Sequence, residues 1–141
     1  MTTQRRSPER VIRADGGRYY TVVPGEDVEP SKFEVRDLEF ISIVRPDEQF
    51  IDGETMRQRA AELHANFGID DGMFIIKHHE EIPYDMQDHI VLAGTLLRHS
   101  EGDELAVTIL YWDFGEWRPS PMPLSTHWIG KFRFPRIRAK R

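Results

Sequence analysis

Residues 105 to 112 read L-A-V-T-I-L-Y-W, and both alternating sets of side chains are largely apolar: Leu105, Val107, Ile109 and Tyr111 against Ala106, Thr108, Leu110 and Trp112. Alternate side chains on a strand point to opposite faces, so this pattern predicts a strand buried on both sides. A helix would cover one side, and another layer or subunit the other.

Working outward, S-E-G-D-E at 100–104 supplies the glycine and acids of a hairpin loop, joining this strand to one over Ile90–Leu97. Met73–His78 and Trp128–Phe134 read as further strands, while the three prolines of R-P-S-P-M-P-L-S, residues 118–125, predict an extended excursion outside any ladder. Nearer the N-terminus, Leu38–Val44 reads as a strand stopped by Arg45-Pro46-Asp47. Val11–Ala14 and Arg18–Val23 flank Asp15-Gly16-Gly17 as a hairpin closed by Pro24-Gly25. The helix is expected over about 53–67. Asp52 caps it, Gly68 stops it, and Met56, Ala60, Leu63 and Phe67 form its apolar stripe. The expected fold is therefore a single α+β domain spanning 1–141. Its sheet is mainly antiparallel, an N-terminal hairpin plus four strands in the C-terminal half, packed by one main helix.

Composition narrows the function classes. A chain of 141 residues can bury about 68% of its unfolded surface, enough for a core without staples. With no cysteine there is no disulfide, thiolate nucleophile or thiolate-held zinc. No apolar run approaches the roughly 20 residues of a membrane span, and the N-terminus lacks a signal-peptide core, so the chain reads as cytoplasmic, with no membrane partner. Charge is unevenly spread. Five arginines against two acids make residues 1–18 net +3, and residues 128–141 hold six cations and no acid. The whole chain is −5, so the body between them carries −14. Basic arms, 1–18 and 131–141, on an acidic body predict arm-on-protein contacts and a homo-oligomer or protein partner. Nucleic-acid binding through the arms is the alternative, opposed by the field of the body.

Two stretches could carry chemistry. Phe74–His89 packs three histidines and four carboxylates into sixteen residues. His79-Glu80 opens an H-E-x-x-H zinc signature, but Pro83 stands where the second histidine belongs. His78-x-Glu80 matches the deaminase H-x-E without its cysteines. What remains is a looser set, His78, His79, Glu80 and His89, able to offer a divalent metal nitrogen and oxygen ligands, or to serve a small ligand-binding enzyme as acid and base. Otherwise the stretch is a strand end and its loop, and no cofactor is required. Histidines beside acids are expected to have raised pKa values. The second stretch, Y-W-D-F-G-E-W, puts four aromatics in seven residues; its D-F-G lacks every other part of a kinase. Tyr111, Trp112, Phe114 and Trp117, with Trp128, Phe132, Arg133, Phe134, Arg136 and Arg138, form the expected interface, since aromatics and arginine dominate interface energetics. The leading expectation is a non-enzymatic assembly protein.

Overall fold

The computed structural model describes residues 11–13 and 19–139. Its larger sheet is antiparallel, in the order β1 (Val11–Arg13), β2 (Tyr19–Asp27), β4 (Ile90–His99), β5 (Leu105–Asp113) and β6 (Glu116–Pro123). A second, two-stranded sheet pairs β3 (Leu38–Ile41) with β7 (Phe134–Ile137), and the helices are α1 (Gly53–Glu62) and α2 (Ile69–Lys77). The fold is α+β, as the alternation pattern requires.

The strand that is apolar on both faces is covered on both faces within the chain. Val107 and Ile109 join Val91, Ala93 and Leu96 of β4 beneath Met56 and Ala60 of α1, with Trp128, Phe132 and Phe134 completing that core. Leu110 faces the other way, with Ile90 and Leu92, against Ile75 of α2 and against Val35, Leu38 and Phe67. Ala106 and Leu97 extend this second face to Ile69, at the start of α2. The second layer is thus α2, in a stretch where the residue pattern predicts a strand.

That expected strand, Met73–His78, is the main correction. A short apolar run such as M-F-I-I has no periodicity of its own. The helix shows only with the residues before it, where Ile69, Gly72 and Ile75 fall three apart and are buried. Asp70 and Asp71 then lie in the first turn, favourable at the positive end of the helix dipole. The buried Asp71 carboxylate also accepts from Ser31 N at 3.0 Å, and Gly72 brings the helix backbone against Leu92.

Other boundaries move for identifiable reasons. Gly68 does not stop α1; it is the N-cap of α2. The stop is His64, at φ 58°, with Ala65 N donating to Ala60 O and His64 N to Ala61 O, the paired bonds of a Schellman motif. Leu63 is consequently exposed, and Phe67 packs on the opposite face of the sheet. Pro24-Gly25 does not end β2 but sits in a bulge between Val22 and Asp27, with Gly25 at φ 79°. β3 ends at Ile41, short of Val44. The last strand begins only at Phe134, while Trp128 makes an isolated bridge to Ile51. The hairpin turn 14–18 lies outside the described residues.

The proline-rich segment is also a strand. β6 pairs with β5 through Ala106↔Pro123, Thr108↔Pro121 and Leu110↔Pro119. Leu124 N donates to Leu105 O, so residues 118, 120, 122 and 124 turn their backbone groups inward, and Pro119, Pro121 and Pro123 face the open edge. Proline is compatible with a ladder at such an edge.

Candidate functional site

The two chemistry-bearing stretches meet. After α2, a short 3₁₀ turn at His79–Glu81 and the loop to His89 run past the tip of the β5–β6 hairpin. Between them lies a cleft of about 220 Å³, lined by His79, Glu80, Tyr84, Met86, Trp112 and Trp117, with Ile82 and Pro83. Trp117 is buried at its base. Trp112 meets it edge to face, centroids 5.6 Å apart, and keeps 37% of its own surface exposed. Register explains this: Trp112 pairs directly with Trp117, so both project to the same face of the sheet.

The hairpin tip is conformationally unusual. Phe114 and Gly115 both have positive φ, 48° and 85°, as a two-residue turn that follows the twist of the strands requires. Glycine suits that region and phenylalanine does not. Phe114 is nonetheless there, 98% exposed, while Tyr84 across the cleft is 92% exposed. Arg118 spans the hairpin acids, 3.2 Å from Asp113 and 2.5 Å from Glu116.

The histidine and acid set is divided. His79 Nδ1 is 3.1 Å from Ile76 O; a carbonyl only accepts, so Nδ1 is the donor. His78 packs on Phe74, ring centroids 4.5 Å apart, and its ligand atoms lie with those of Glu80 and Glu81 within 4.8 Å. Glu81 already accepts from Arg36 N at 3.1 Å. His89 does not join them. It stacks on Tyr111 and touches Phe132, ring partners on the α1 side of the sheet. Its pKa is lowered rather than raised, first by burial and then by Lys131, with Asp88 opposing.

The remaining interface residues divide sharply. Trp128, Phe132 and Phe134 are buried in the chain's own core and do not reach the surface. Arg133 pairs with Asp88 at 3.2 Å, Arg136 with Glu39 at 2.5 Å, and Arg138 donates to Leu38 O. Up to Arg138, the C-terminal arm is therefore laid along its own body. Tyr84 and Met86 were the residues that sequence reasoning missed; the one signal was an aromatic within an otherwise polar loop. Among the described residues, no helix is long and apolar enough to cross a membrane. Set against family models, curated proteins and solved structures, the chain matches none of them.

Proposed function

We propose that this chain is a non-enzymatic interaction protein that associates with a second copy through the aromatic cleft and the hairpin tip beside it. The observation that carries the reading is Phe114, an aromatic held at positive φ and almost wholly in water. Such a residue contributes nothing to the core and opposes the local backbone preference, a pattern associated with function rather than folding. Trp112 and Tyr84, exposed at the cleft, add aromatic side chains of the kind that anchor interfaces.

Two features favour docking over catalysis. A cleft of 220 Å³ falls below the roughly 300–1,000 Å³ of pockets that enclose small-molecule ligands, and suits a single side chain. Its polar groups are also wet, with the side chains of His79 and Glu80 more than half exposed, whereas acid–base and electrostatic catalysis draws its strength from sites that exclude water. The test is the solution mass by light scattering. The expected result is a defined oligomer for the native chain and a smaller species for Phe114→Ala; a native chain that is monomeric throughout would overturn the reading.

A second reading rests on the His78, Glu80 and Glu81 group. A divalent cation held there would draw Glu81 away from Arg36. A zinc titration that raises Tm in the native chain and not in His78→Ala supports it, and equal curves exclude it.

A further inference from the structure

We infer that the cleft receives an arginine side chain from residues 1–10 of a second copy. This rests on the self-association proposed above and names the group that fills the site. The cleft joins two chemistries across its two walls. Trp112 and Trp117, their ring planes 66° apart, present indole surface from two directions, and Glu80 places a carboxylate at the rim. A planar guanidinium can stack on an indole face while donating to a carboxylate, and is weakly enough hydrated to leave water; an ammonium is held back by its hydration.

Charge accounting points to the same occupant. Acids elsewhere on this surface have arginine partners in the fold: Asp113 and Glu116 with Arg118, Asp88 with Arg133, Glu81 with Arg36. Glu80 has only the rings of His78 and His79, at 3.9 and 4.0 Å, and no arginine or lysine among the described residues. Asp85, next to Tyr84, is exposed and has no such partner there either. A concentrated set of complementary cations lies in M-T-T-Q-R-R-S-P-E-R, which holds Arg5, Arg6 and Arg10, no lysine, and Glu9 as its single acid. The C-terminal arginines as far as Arg138 are already engaged by their own body.

The experiment is a charge swap, read as the association constant from light scattering across a dilution series, with circular dichroism confirming that each variant folds. Glu80→Arg alone, and Arg5→Glu with Arg6→Glu alone, are each expected to weaken association about tenfold, the scale of a desolvated cation–π contact with its carboxylate. All three substitutions together are expected to restore most of it. If neither change matters while Phe114→Ala still dissociates the oligomer, the copies associate but this occupant is wrong. If the single changes weaken association and the combination restores nothing, the two groups do not meet, and the inference again fails.

Discussion

Among the described residues, His64 and Phe114 are the non-glycine residues at positive φ, and substituting each tests a different role. His64 is exposed and terminates α1, where glycine would serve better. His64→Gly should therefore stabilise the protein by about 1 kcal/mol, a rise of about 3 °C in Tm, without altering association. Phe114→Gly should give a similar rise in a thermal melt while reducing the mass seen by light scattering. A Phe114→Gly variant that gains stability and keeps its mass would show the ring to be idle. The pH response is also set by single residues. Arg59 donates to both carboxylate oxygens of Glu48 at 2.7 Å, and with the N–H of Arg45 holds its pKa down at about 2. A depressed carboxyl stabilises the fold fully above its unfolded pKa near 4.5, and that contribution is lost as the pH falls towards 2. His89, lowered by burial, acts earlier, its contribution complete above about 6.5 and declining below. Denaturant midpoints measured from pH 7 to 2.5 should show Glu48→Gln flattening the slope below pH 4.5, with the slope nearer pH 6 unchanged. Neither position was legible in the sequence: any residue can be forced into a left-handed turn, and the Arg59–Glu48 pair depends on how α1 meets the loop beneath it.

At the scale of elements, legibility followed the length of the pattern. The β4–β5 hairpin and the start of α1 were plain, because eight residues largely apolar on both faces or an Asp52 cap are strong local statements. α2 was hidden, since its buried residues are spread through Ile69–Ile75 and its first turn is acidic rather than apolar. β6 was hidden by its prolines, which argue against a central strand but are admissible on an edge. The cleft needs both of these elements, so it could not be foreseen even though its tryptophans were. Gly94 is one of the glycines that let neighbouring segments approach: a Cβ there would come within 2.1 Å of Asn66 O and 2.6 Å of Val28 Cγ2. Backbone cannot step aside as a side chain can, so Gly94→Ala should cost about 3 kcal/mol, at the upper end for overpacking, and chemical denaturation would measure it.

Across the whole molecule, part of the uneven charge seen in the sequence is met within the described chain. Arg133, Arg136 and Arg138 fasten the C-terminal stretch to the body, and Phe132 and Phe134 are core residues. Removing residues 132–141 should therefore unfold the protein instead of releasing an arm. Two buried phenylalanines are worth about 3–5 kcal/mol each, against a total stability of about 5–15 kcal/mol. A truncated chain that melts cooperatively near the native Tm would show that this stretch is dispensable. The outer edge of β6 has a further consequence for how copies can combine. Over residues 119–123 that edge offers carbonyls but no N–H donors, because proline stands at every outward position. In the language of polymer chemistry, the sheet is then at most monofunctional. Two copies joined at the β1 edge would expose a proline-capped end on each side, so edge-to-edge pairing of this sheet would stop at two. Replacing Pro119, Pro121 and Pro123 with valine would give the monomer a second reactive end and make open-ended fibre growth possible.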